Sequence, residues 1–87
     1  MKLIKFELVP CTPCKMLGDF LNEVGVKPDQ TINLYKATPE ERALADKHEI
    51  MQPPVLLLLD DEGNEIDKVV GQGRSKVLGI LTKRGLI

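Results

Sequence analysis

Cys11 and Cys14 are the only cysteines in this 87-residue chain, and two residues stand between them. A disulfide stabilises a fold chiefly by closing a loop, and the gain grows with loop length. Joining Cys11 to Cys14 closes almost none, so the spacing argues against a structural staple. It leaves redox or metal chemistry. A structural zinc site wants four ligands, whereas the chain offers no further cysteine and one histidine, His48, far along the sequence and read as a surface helix residue. Within one chain no metal site is expected; two cysteine pairs shared across a dimer are the one easy metal route.

The residues around the pair sharpen this. Leu3–Val9 alternates so that Ile4, Phe6 and Leu8 share a face, the period of a β-strand. Pro10 breaks it, and helical spacing begins at once: Cys14, Leu17, Leu21 and Val24 form one stripe, joined by Phe20. A helix is expected from about Cys11 to Glu23, with Pro13 in its first turn, where a missing N–H costs little, and Gly25 as its stop. The first cysteine then sits at a helix start, where unpaired N–H groups and the positive end of the helix dipole favour a thiolate. Cys14 falls on the apolar stripe and is expected buried; Cys11 falls off it and is expected exposed. Hence Cys11 is the nucleophile and Cys14 the resolving thiol. The dipole supplies only about 0.3–1 kcal/mol, so backbone N–H groups and the Cys14 thiol must add to it. Thr12 and Pro13, between the cysteines, tune the potential. Lys15 either adds a favourable field or is a solvated charge.

The elements that must hold this pair read as follows. Thr31–Lys36 is a second strand. Thr38 caps a short helix running to about His48, with Pro39 at its first position and Glu41 closing a capping box. Val55–Leu59 is apolar throughout, as a strand covered on both faces would be. Asp60–Asn64 carries hairpin turn chemistry, and Ile66–Val70 returns. Gly71–Gly73 breaks the chain, and Ser75 caps a last helix with the stripe Val77, Leu78 and Leu81, ending near Gly85. The order is βαβαββα: an α/β fold with a four-stranded mixed sheet flanked by three helices, and residues 1–87 as one domain. The first two strands are expected parallel and the last two antiparallel.

Composition narrows the partners. The chain carries 12 basic and 13 acidic side chains, well mixed, and three aromatics, Phe6, Phe20 and Tyr35. Neither a basic stripe nor a stacking platform is present, so no nucleic-acid partner is expected. Lys5 and Glu7 interrupt any signal-peptide core, and the longest apolar run, Val55–Leu59, is far short of a membrane span. A monomer in the cytoplasm is expected, where cysteine pairs cycle rather than lock.

Three blocks in order, Cys11-Thr12-Pro13-Cys14-Lys15, Ile50-Met51-Gln52-Pro53-Pro54-Val55-Leu56-Leu57-Leu58 and Val70-Gly71, resemble the thioredoxin/glutaredoxin superfamily over nearly the whole chain. The length is that of a glutaredoxin, without the extra N-terminal strand and helix of full-size thioredoxins. The resemblance implies a protein-disulfide reductase with no bound cofactor beyond the redox-active Cys11–Cys14 disulfide. It would be recharged by a flavin-dependent thioredoxin reductase and NADPH, with ribonucleotide reductase among the targets. It also implies that Pro54 follows a cis bond and faces the cysteines, and that Pro53 pairs through its backbone with substrate. Pro53 has no N–H, which removes one such hydrogen bond, roughly 0.5–1.5 kcal/mol. The bland reading of Pro53-Pro54, a rigid lead-in to a buried strand, is compatible. Gly71 either serves a strand end that needs backbone freedom or lets substrate approach.

The chain departs from the family pattern at Pro10, where thioredoxins carry tryptophan, and at Lys5, where they carry a buried acid that assists proton removal from the resolving cysteine. Gly71-Gln72-Gly73-Arg74-Ser75 matches the glutathione-holding segment of glutaredoxins only loosely, and Val55–Asn64 followed by Val70-Gly71 is nearer to thioredoxin. A glutathione-dependent glutaredoxin and a thioredoxin-fold binding module are the alternatives.

Overall fold

The computed structural model describes residues 1–87. Its elements run β1 (Lys2–Glu7), α1 (Thr12–Glu23), β2 (Gln30–Asn33), α2 (Pro39–Lys47), β3 (Val55–Leu59), β4 (Glu65–Val70) and α3 (Arg74–Arg84). The four strands form one mixed sheet in the order β2-β1-β3-β4. β1 runs parallel to β2 and antiparallel to β3, and β3 and β4 form an antiparallel hairpin. This is the expected α/β architecture.

The alternation of side chains across a strand divides the core in two. Leu56 and Leu58 of β3 point to one face with Leu3 of β1, where Leu17, Phe20 and Leu21 of α1 and Val77, Ile80 and Leu81 of α3 cover them. Val55, Leu57 and Leu59 point to the other with Ile4, Phe6 and Ile32, beneath Ala45 of α2 and Ile50. Every residue of β3 is therefore buried, which is why that strand has no polar alternation.

Local chemistry sets the element ends. Thr38 Oγ1 accepts from Glu41 N–H at 3.1 Å while Glu41 accepts from Thr38 N–H at 2.9 Å, a complete capping box with Pro39 at the first position. β2 ends earlier than the expected Lys36. Asn33 Oδ1 accepts from Tyr35 N–H at 3.0 Å and Asn33 C=O from Lys36 N–H at 3.0 Å, so the asparagine's turn geometry removes 34–36 from the strand.

Three further readings are corrected. Ser75 is not the cap of α3: the cap falls two residues earlier, at Gly73, the helix begins at Arg74, and no side chain caps it. Leu78 is not on the core stripe; Ile80 is, with Val77 and Leu81, because residues three and four apart share a helix face and Leu78 lies about 100° away. His48 is not a surface helix residue. It is the C-cap of α2 and is buried, with Nδ1 3.0 Å from Glu65 Oε1 on β4. The helix ends where the chain turns back toward the sheet, and this carries the ring inward.

Asp29 ties three elements together just before β2. It accepts from Leu3 N–H of β1 at 2.7 Å and from Arg84 of α3 at 2.9 and 3.1 Å. The Arg84 hydrogen bonds hold its carboxyl below the ordinary carboxylate range against the opposing effect of burial, and the Leu3 N–H adds to them. A carboxyl depressed in the folded state stabilises the fold above its unfolded value near ~3.9, and that contribution is lost as pH falls through the folded value. Urea midpoints should therefore drop on acidification below about pH 4, and Asp29→Asn should flatten that part of the dependence. At neutral pH, Leu57→Ala, in a fully buried site, should cost about 2–5 kcal/mol in the same titration.

Candidate functional site

The segment between β1 and α1 places the cysteines. Helix α1 starts at Thr12, one residue later than the sequence pattern gives, and Cys11 is its N-cap in extended conformation. The first turn of a helix leaves N–H groups without carbonyl partners. Pro13 has none to leave. The Cys14 N–H turns back and donates to Cys11 Sγ at 3.2 Å, so the sulfur occupies the place an N-cap oxygen usually takes. Cys11 C=O accepts from Lys15 N–H at 3.0 Å and begins the helical ladder.

Cys11 and Cys14 are joined as a disulfide with their Cα atoms 5.3 Å apart. Cys11 is half-buried, and Cys14, one turn into the helix, is only 3% exposed. Thr12, Pro13 and Lys15 are exposed. Lys15 Nζ stands 3.7 Å from Asp19 Oδ2 in an open i,i+4 pair. Such pairs contribute little, so the lysine's charge is shared between Asp19 and solvent.

A cavity of about 510 Å³ opens beside the disulfide. Its walls are the end of β1 and the turn after it (Lys5, Glu7, Leu8, Val9, Pro10) and the outer face of α1 (Cys11, Thr12, Cys14, Lys15, Gly18, Asp19, Asn22). Two of these, Lys5 and Glu7, act as a unit that the sequence motifs around the cysteines do not include. Lys5 is buried, and its Nζ lies 3.0 Å from Glu7 Oε1. The signal was present: Lys5 shares strand parity with Leu3, which faces α1, so a charge at that position had to meet the helix.

Pro53, Pro54 and Gly71 form a separate group. The Pro53–Pro54 peptide is cis, as is Val9–Pro10. Pro54 is buried and Pro53 half-buried. Pro54 C=O accepts from Gly71 N–H at 2.8 Å, which extends the β3–β4 pairing by one step. These residues are not among those lining the cavity. Gly71 adopts φ +96°, a left-handed backbone that both of its readings accommodate. No group of three or more His, Cys, Asp or Glu side chains is gathered as a metal site would need, and no helix is long and apolar enough to cross a membrane.

Comparison with known proteins agrees in sequence and in shape. A family model described as thioredoxin matches residues 1–83. The SPbeta prophage-derived thioredoxin-like protein YosR of Bacillus subtilis is 35% identical over 71 residues, 82% of this chain and 82% of the relative. A thioredoxin of Staphylococcus epidermidis is 34% identical over 85 residues, 95% of this chain and 81% of its own length. Among solved structures, the thioredoxin of Malassezia sympodialis superposes with a TM-score of 0.75 at 24% identity, covering 93% of this chain and 71% of that one. The thioredoxin NaTrxh of Nicotiana alata gives 0.71 at 27% identity, covering 94% and 72%.

At Gly71 the backbone angle is strained for any residue with a Cβ, although nothing lies within 4 Å of where that atom would stand. Gly71→Ala should therefore lower stability by roughly 1–3 kcal/mol through strain alone. A urea titration of the oxidised protein reads this.

Proposed function

The chain belongs to the thioredoxin family and is a thioredoxin-like disulfide oxidoreductase, and on that premise we propose that it reduces protein disulfides with Cys11 as nucleophile and Cys14 as resolving thiol. The observation that carries the assignment is the asymmetry of the pair. Cys11 is the partly exposed cap of α1 with an N–H aimed at its sulfur, while Cys14 is buried one turn further on.

The chemistry follows. In the reduced protein, the dipole and the Cys14 N–H favour the Cys11 thiolate. It attacks one sulfur of a substrate disulfide; a Cys11–substrate bond forms, the substrate bond breaks, and the other substrate sulfur leaves with the electron pair and takes a proton. Cys14 then attacks Cys11 Sγ, the Cys11–Cys14 bond forms, and the second substrate sulfur leaves. The substrate gains two electrons and the protein ends as the disulfide. Thr12 and Pro13 set the potential at which this occurs. Pro53, Pro54 and Gly71 take the substrate backbone, and the missing Pro53 N–H weakens that pairing.

No bound cofactor takes part in this scheme; the cysteine pair carries the electrons. Electrons reach the pair from a thioredoxin reductase, in the cytoplasm, where thiols are kept reduced. The family match over residues 1–83 and the loose fit of Gly71–Ser75 to a glutathione-holding segment support this donor over glutathione.

Cys14→Ser should accumulate mixed disulfides through Cys11, and Cys11→Ser should lose disulfide reduction altogether; equal trapping by both variants overturns the assignment of roles. Turnover of a disulfide substrate should be faster with thioredoxin reductase and NADPH than with glutathione and its reductase. The reverse ranking makes the protein a glutaredoxin. Full biological function in a variant lacking both thiols makes it a binding module.

A further inference from the structure

Resting on Cys14 as the resolving thiol, we propose that Lys5 is a positioning residue for that step: its buried ammonium holds the Cys14 sulfur as a thiolate, and Glu7 opposes it.

Lys5 and His48 are the only polar residues buried in the molecule. A buried ammonium is costly unless paired, and the structure gives this one a single counter-charge, Glu7, on the same side of β1. Glu7 is itself about one-fifth exposed, at 21%, against 10% for the Lys5 side chain, so the anion reaches toward solvent and the cation toward the protein. The ammonium is aimed at α1. A Cβ built on Gly18 would stand 3.1 Å from Lys5 Nζ. Gly18 lies four residues after Cys14, on the same helix face one turn away. The bare backbone there gives the ammonium its room, and Lys5, Cys14 and Gly18 line one cavity.

The disulfide carries no charge and asks nothing of this cation. The dithiol does. Once the pair is reduced, the Cys14 thiol is buried among apolar neighbours, which disfavours its thiolate, and a nearby cation reverses that preference. The other charged groups around the cavity are Glu7 on β1 and Lys15 and Asp19 on α1. The last two are an exposed pair and largely cancel each other in solvent. Lys5 and Glu7 therefore set the local field, with opposite signs. In the step itself, Cys14 gives its proton to water in the cavity, and its thiolate attacks Cys11 Sγ of the mixed disulfide. The Cys11–Cys14 bond forms, the Cys11–substrate bond breaks, and the substrate sulfur leaves with the electron pair and is protonated from water.

A stopped-flow assay with a dithiobis-nitrobenzoate probe separates the steps. The fully reduced protein releases one coloured thiolate when Cys11 attacks and another when Cys14 resolves, and the second phase is followed against pH. Lys5→Met should slow that phase about tenfold near pH 7 and move its midpoint to higher pH, converging with the unaltered protein in base. Lys5→Arg should restore most of the rate, and Glu7→Gln should move the midpoint to lower pH. The first phase, read in a Cys14→Ser background, should change little. A second phase with an unshifted pH profile overturns the proposal, as does one slowed equally at every pH, or Lys5→Met and Glu7→Gln shifted in the same direction. If Lys5→Met does not fold, the direction of the Glu7→Gln shift decides, because that side chain is the more exposed of the two. Failure of the role assignment looks different: Cys14→Ser would then lose the first release, and Cys11→Ser would keep it.

Discussion

A helix must do something with the N–H groups of its first turn, and in this protein one of them goes to sulfur. The Cys14 N–H donates to Cys11 Sγ, which makes the cysteine the cap of α1. The disposition of the site follows from that bond. A cap residue lies outside the helix in extended geometry and half in solvent, so Cys11 is accessible. A residue three positions later has completed most of a turn, so Cys14 points inward with Leu17 and Leu21. Pro13 suits the arrangement because a residue in the first turn has no carbonyl partner to lose. The same hydrogen bond that finishes the helix also supplies a donor to one sulfur of the redox-active pair, so folding and chemistry meet at one contact.

The sheet supplies the constraint from the other side. β3 is buried on both faces, and β1 beside it is nearly so, with Leu3, Ile4, Lys5 and Phe6 all buried. The stretch Leu3–Phe6 has no solvent face, so the one charge within it, Lys5, has to be settled inside. That is the origin of the Lys5–Glu7 pair. It also explains why a lysine reaches the cavity beside the disulfide at all: strand parity sends it to the side covered by α1, and Gly18 leaves it space there.

Much of this could be read from residue types and spacing. The all-apolar Val55–Leu59, the Thr38-Pro39-Glu40-Glu41 start and the unlike burial of Cys11 and Cys14 each rest on a local rule that nothing in the tertiary structure overrides. The readings that failed depended on neighbours in space. His48 looked like a solvated helix end until α2 stopped and turned it toward Glu65 of β4, seventeen positions on in sequence. Leu78 gives way to Ile80 because the sheet covers the face of α3 that carries Val77, Ile80 and Leu81. Ser75 is a good capping residue, yet the chain enters α3 two residues earlier, at Gly73, because the β4 strand ends at Val70 and Gly71 redirects it. Lys5 was legible as a departure from the family's acid but not as a paired, inward charge, since its partner and its room come from Glu7 and Gly18 together.

The division of labour between sheet and site has a thermodynamic side. The Cys11–Cys14 bond spans a sequence separation of three, so opening it returns almost no chain entropy to the unfolded state. Stability is vested instead in the two apolar clusters on either side of the sheet and in clips such as Asp29 with Arg84, all of them made by other residues. The bond can therefore open and close without the fold having to follow. The free energy of the redox step is then set by what surrounds the two sulfurs: the helix terminus at Cys11 and the buried surroundings of Cys14. A short loop, which makes the disulfide nearly useless as a staple, is what frees it to serve as a reversible carrier of electrons.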